Sequence, residues 1–90
     1  MLVQGKTIAV TGAGKGIGWA CVKFFLEQGA NVTALTRSKE DVLNLQRTFK
    51  GRNFLVFQGD VTVRNDLDAL LNLGCEKFGR VHGLVNNAGI

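Results

Sequence analysis

The chain has 90 residues, 46% hydrophobic and 20% charged, with a net charge of +4, a balance that suits a globular domain and excludes a disordered or low-complexity segment. No apolar run approaches the roughly 20 residues of a membrane-spanning helix, Gly5 and Lys6 interrupt the start so that no secretory leader is expected, and the basic residues are scattered apart from Arg47, Lys50 and Arg52 around Gly51, so no nucleic-acid partner is expected either. The two cysteines, Cys21 and Cys75, fall within helical patterns and are expected as buried free thiols, as in a reducing, cytoplasmic setting.

The chain alternates strand and helix signals from end to end. Thr7 to Thr11 is a short β-branched run and predicts a first strand. A first helix is predicted over Gly16 to Gln28, with Gly29 as its stop. On it Ile17, Ala20, Cys21, Phe24 and Phe25 share one face, and Trp19, Val22 and Leu26 extend the apolar surface onto a second. Burial over much of its circumference is therefore expected, with Lys23 and Glu27 left to solvent. Asn31 to Thr36 predicts the second strand. Ser38 caps a second helix through the approximate capping box Ser38-Lys39-Glu40-Asp41, striped by Val42, Leu45 and Phe49. Arg47, Lys50 and Arg52 are expected as its solvated end, where cations suit the helix dipole.

Phe54 to Gln58 is apolar nearly throughout, as a parallel strand covered on both faces should be. A third helix is predicted from Val63 to Phe78, presenting Val63, Leu67, Leu70, Leu71, Cys75 and Phe78 on one face. Gly83 to Asn86 predicts a fourth strand, preceded by His82 as a surface residue. Strand and helix in strict alternation predict an α/β, Rossmann-like, doubly wound parallel sheet. Right-handed crossovers give the strand order 3-2-1-4, with the topological switch point between the first and fourth strands. Gly12 and Asn87 then lie at carboxyl strand ends, where ligands bind in such sheets.

The loop between the first strand and helix carries the chemistry. Glycines let a backbone approach a pyrophosphate, and the helix start behind them offers unpaired N–H groups and the positive end of a dipole. The loop lacks the Gly-Lys-Ser/Thr ending of a P-loop. It also fails the G-x-G-x-x-G register, because Ile17 and Trp19 stand where the last glycine would fall. Thr11, Gly12, Gly16 and Gly18 instead spell T-G-x-x-x-G-x-G. Gly59-Asp60-Val61 follows, and Asn86-Asn87-Ala88-Gly89 comes after the apolar pair Leu84-Val85.

With these three motifs in order, the whole chain resembles the short-chain dehydrogenase/reductase family. The resemblance implies that Gly12, Ala13, Gly14, Lys15, Gly16, Ile17 and Gly18 surround the pyrophosphate and adenosine ribose of a nicotinamide dinucleotide. It implies that Asp60 accepts from the adenine amino group with help from the Val61 N–H. It also implies that Asn87, with Ala88 and Gly89, lies at the nicotinamide side, while Asn86 braces the sheet.

The end of the second strand bears on the cofactor. An NAD site wants a carboxylate there for the ribose 2′-hydroxyl; this chain has Thr36-Arg37-Ser38. Arginine can grip a 2′-phosphate with forked hydrogen bonds, and Lys15 adds a second cation from the glycine loop. In the family, basic residues at these two places mark NADP, so NADP(H) is the expected cofactor. The nearest likeness within the family is to the carbonyl, dicarbonyl and xylulose reductase branch.

Catalysis in the family uses a serine and a Tyr-x-x-x-Lys pair. This chain has no tyrosine, and its one serine, Ser38, is placed as a cap. Residues 1–90 are therefore expected to be the N-terminal, NADP-binding part of a Rossmann domain, truncated after the fourth strand and inactive alone. The parent would be a carbonyl reductase acting on a small-molecule substrate, and a homo-oligomer. The alternative is a non-catalytic dinucleotide-binding module; a nucleotide-binding methyltransferase is disfavoured by Asn-Asn-Ala-Gly. No metal-ligand cluster is expected. The apolar fourth strand, as a sheet edge, is expected to promote association.

Overall fold

The computed structural model describes residues 2–87. The elements run β1 (Thr7–Thr11), α1 (Gly16–Glu27), β2 (Asn31–Thr36), α2 (Lys39–Thr48), β3 (Phe54–Gln58), α3 (Arg64–Phe78) and β4 (Gly83–Asn86). The four strands form one parallel sheet in the order β3-β2-β1-β4, the order that right-handed crossovers require. β1 is central, pairing Ile8 with Val32 on one side and with Gly83 on the other.

Period-2 alternation divides the core into two layers. Ile8, Val10, Val32, Ala34 and Val56 face α1 and α2, which contribute Val22, Leu26, Val42, Leu45 and Phe49. The opposite face holds Ala9 and Leu35 against Leu70 of α3, with Phe57, Val61, Leu67, Leu71 and Val81 around them. Trp19, Phe49 and Phe54 form an aromatic row across α1, α2 and β3, with centroid separations of 5.7 and 5.4 Å. Trp19 is therefore a packing residue.

Helix α2 follows its expected stripe. Its Ser38 cap is present, the Oγ accepting from the Asp41 N–H at 3.2 Å. The other two helices follow expectation in part: Val22 and Leu26 of α1 and Leu67, Leu70 and Leu71 of α3 pack as expected, while other residues of the expected faces do not. The buried seam of α1 is Gly18, Val22 and Leu26, while Ile17 and Phe24 are 72% and 44% exposed. In α3 the buried residues are Leu70 and Gly74, and Val63 and Cys75 lie exposed. The cause is the same in both. A glycine lies on the contact line, so the helix axis comes closest where hydropathy counts no side chain. A Cβ on Gly74 would meet Thr33 Cγ2 at 2.8 Å and Val81 Cγ2 at 3.0 Å. The expectation of two buried thiols is corrected accordingly: both cysteines are free, but Cys21 is half-buried and Cys75 is exposed.

Two polar contacts hold the ends of the elements. Arg52, expected as a solvated helix-end cation, donates from Nη2 to the Leu26 carbonyl at 2.8 Å, satisfying a carbonyl in the last turn of α1. His82 is exposed as expected, yet its Nδ1 accepts from the Thr7 N–H at 3.0 Å and its own N–H donates to the Thr7 carbonyl at 2.8 Å. Among the described residues, no helix is long and apolar enough to cross a membrane. Leu84 of β4 is 48% exposed on the terminal strand of this sheet.

The α3 seam gives a direct test. Leu70→Ala is expected to lower unfolding free energy by about 2–5 kcal/mol. Cys75→Ala, outside the seam, should stay within about 0.5 kcal/mol of the parent. Urea denaturation of the two variants side by side measures both.

Candidate functional site

The carboxyl ends of β1 and β2 open into a cleft of about 250 Å³. Gly12, Gly14 and Lys15 form one wall, and Thr36, Arg37 and Ser38 another. Asp41 closes the α2 side, with Leu35, Gly59 and Val61 completing the lining. Of the residues singled out from sequence, Gly12, Gly14, Lys15, Thr36, Arg37 and Val61 meet here. Ala13 is fully buried beneath the loop, its N–H donating to the Leu35 carbonyl at 3.1 Å. Gly16, Ile17 and Gly18 form the first turn of α1. Ala88 and Gly89 lie outside the described residues.

The loop depends on glycine at defined points. Gly12 and Gly16 have φ of 61° and 57°, in the left-handed region that glycine enters without strain. Gly18 sits so close to the turn that a Cβ would collide with the Gly12 carbonyl oxygen and come within 2.9 Å of Asn87 Nδ2. Helix α1 starts without help from side chains. Its N-cap, Lys15, makes no capping hydrogen bond, and the first turn holds no acidic residue. The leading N–H groups and the positive dipole end are thereby left to an anion. By contrast α2 carries Ser38 at its cap and Glu40 and Asp41 in its first turn.

β4 is tied to the loop by polar bonds. Thr11 Oγ1 donates to Asn86 Oδ1 at 3.0 Å and accepts from the Asn87 N–H at 2.9 Å, while Asn87 Nδ2 donates to the Gly12 carbonyl at 3.2 Å. Asn86 thus braces the sheet. Asn87 holds the β4 end against the glycine turn, with its backbone N–H engaged within the chain.

Asp60 stands beside the cleft, in a neighbouring depression shared with Arg37, Gln58, Gly59 and Asp66. Its Oδ1 accepts from the Thr62 N–H at 2.9 Å and the Thr62 hydroxyl at 2.8 Å. Its Oδ2 lies 3.7 Å from Arg37 Nε in an exposed ion pair, and its own N–H donates to Asp66 Oδ2 at 2.9 Å. The Thr62 backbone bond, then the Thr62 hydroxyl, hold its carboxyl below the ordinary aspartate pKa against an opposing desolvation, with the Arg37 charge adding the least.

Sequence reasoning did not place Leu35, Ser38, Asp41 or Gly59 in the site. For Asp41 a signal was present. A residue three beyond an N-cap lies in the first turn of its helix, and that turn begins at the carboxyl end of β2.

Residues 6–90 match the family model described as short chain dehydrogenase. The chain belongs to the short-chain dehydrogenase family. It is 36% identical to an L-fucose dehydrogenase of Mus musculus, over 96% of this chain and 31% of that protein. It is 37% identical to the 3-oxoacyl-[acyl-carrier-protein] reductase FabG of Thermotoga maritima, over 100% of this chain and 37% of that one. The crystal structure of a 3-ketoacyl-(acyl-carrier-protein) reductase from Brucella melitensis complexed with NADH superposes with a TM-score of 0.88 at 35% identity, covering 98% of this chain and 36% of that one. The chain thus spans about a third of the length of these short-chain dehydrogenase relatives. Its architecture is the Rossmann-like sheet of the family.

Two outcomes test this geometry. Gly18→Ala forces a methyl group onto a carbonyl oxygen and is expected to destabilise the chain by about 1–3 kcal/mol, measured by thermal or urea unfolding. The Asp60 carboxyl has a lowered folded-state pKa, so its contribution to stability is complete above the ordinary aspartate range and is lost as pH falls through the folded value. Asp60→Asn is therefore expected to flatten the acid limb of a stability profile recorded between about pH 5 and pH 2, with no matching change at neutral pH in its slope.

Proposed function

We propose that this chain is the NADP(H)-binding part of a short-chain dehydrogenase that transfers hydride between NADP(H) and a carbonyl or alcohol substrate. The observation that carries the reading is the meeting of Lys15 and Arg37 in one cleft with Gly12, Gly14 and Thr36, at the carboxyl ends of β1 and β2. The uncapped start of α1 suits the pyrophosphate. The close Gly12–Gly18 contact brings that helix start up to the turn, and the two cations suit a phosphate on the adenosine ribose.

The nicotinamide supplies the hydride when the cofactor is bound. These residues bind and orient: the loop fixes the pyrophosphate, and Arg37 and Lys15 take the 2′-phosphate. Asp60 and Val61 border the adenine, with the Asp60 carboxylate also steadying Arg37 at 3.7 Å. Asn87, Ala88 and Gly89 serve the nicotinamide side. The proton-transfer tyrosine that the family implies is not among these 90 residues, so reduction is assigned to the whole protein and binding to this part of it. The two cations also favour the carbonyl, dicarbonyl and xylulose reductase branch as the nearest functional group.

Arg37→Asp tests the cofactor assignment. Replacing a charge-assisted clamp with a like charge is expected to weaken NADPH binding at least about tenfold, while NADH binding holds or improves. Titration of each dinucleotide followed by energy transfer from Trp19 reads both. NADPH affinity that survives the change intact would overturn the assignment.

A further inference from the structure

The cleft contains a carboxylate that the two-cation picture leaves unused. Asp41 lies in the first turn of α2 and lines the same cleft as Lys15 and Arg37. Its position is fixed from two sides. Its backbone N–H donates to Ser38 Oγ at 3.2 Å, which sets the helix start. Its side chain packs on the loop so tightly that a Cβ added to Gly14 would lie 2.7 Å from both Asp41 Cβ and Cγ. Only a glycine at position 14 leaves room for it. The described ion pairs of the chain are Arg37–Asp60 and Arg64–Asp68, so the Asp41 carboxylate is committed to neither cation of the cleft.

We propose that Asp41 is a specificity-determining residue that sets the balance between phosphorylated and unphosphorylated dinucleotides in this cleft. The inference rests on the cofactor reading above and deepens it. A 2′-phosphate held between Lys15 and Arg37 shares the cleft with a like charge, which reduces the gain those cations provide. An unphosphorylated ribose meets no such repulsion, and Asp41 offers its 2′-hydroxyl the carboxylate acceptor that the Thr36-Arg37-Ser38 strand end lacks. The site therefore accepts NADP(H) through position 37 while Asp41 keeps NAD(H) in competition.

The test is a pair of titrations, NADPH and NADH, against the parent chain, Asp41→Asn and Asp41→Ser. Both substitutions remove the charge and keep the backbone N–H that serves the Ser38 cap, and circular dichroism checks that each variant is folded. The expected result is NADPH binding tightened by about three- to tenfold, the effect of removing one unit charge several ångströms from a phosphate in a well-solvated cleft. NADH binding stays level or weakens, so the NADPH-to-NADH affinity ratio rises in both variants. Raising the salt concentration should shrink the difference.

A ratio that stays at the parent value in the folded variants, with both dinucleotides bound, overturns the role of Asp41 and leaves the cofactor reading standing. A parent chain that binds neither dinucleotide overturns the reading and this role together.

Discussion

The architecture turns on one close approach: the start of α1 lies against the Gly12 carbonyl, with Asn87 bonded to that same oxygen. Three elements converge at this atom. β1 delivers Gly12, α1 begins at a distance that only Gly18 permits, and β4 arrives through the Asn87 amide at 3.2 Å. The convergence locates the switch point of the sheet at one end of the molecule. It aims the N–H groups of a helix with no protein cap into the space between the strands. Thr11 reinforces it, its hydroxyl joining the Asn86 side chain and the Asn87 backbone at 3.0 and 2.9 Å. A displacement of α1 by the width of a methyl group would misalign the dipole, the loop and the end of β4 at once.

Charge around the cleft is arranged in opposition. Lys15 and Arg37 enter from the loop and the end of β2, Asp41 from α2, and Asp60 flanks Arg37 from the turn after β3. The Arg37–Asp60 pair is exposed and of small energetic value by itself; its effect is to bias where a long, mobile guanidinium rests. Asp60 is in turn set by a local turn, since Thr62 occupies Oδ1 with two hydrogen bonds and Asp66 receives the Asp60 N–H. Asp60 thus serves as the keystone of the β3–α3 connection.

The strand boundaries, the order β3-β2-β1-β4 and the Ser38 cap were legible in the sequence because they follow from local signals: β-branched runs, a cap with acidic followers, and the handedness of crossovers. The contact lines of α1 and α3 were legible only in part, through Val22, Leu26, Leu67, Leu70 and Leu71. Hydropathy weights side chains, so it also counted Ile17 and Cys75, which are exposed, and passed over Gly18 and Gly74, which are buried where there is no side chain to weigh. Residues acting across long sequence separations were hidden too. Arg52 reaches a carbonyl 26 positions earlier, and His82 pairs with Thr7 across 75. In the site, the glycines and the two cations stood out by type. Asp41 did not, because a helix-start acid has an ordinary explanation in the dipole, and only the packing of α2 on Gly14 shows where its carboxylate lies.

The His82–Thr7 contact has an implication for the end of the sheet remote from the cleft. An Nδ1 atom that accepts must hold its lone pair there, which fixes the neutral ring as the tautomer with hydrogen on Nε2. The ring and its own peptide N–H therefore clasp Thr7 from both sides, taking its N–H and giving to its carbonyl. The segment that leads into β4 is thereby fastened to the start of the central strand, at the opposite pole from the cleft, so the last strand is anchored at both of its ends.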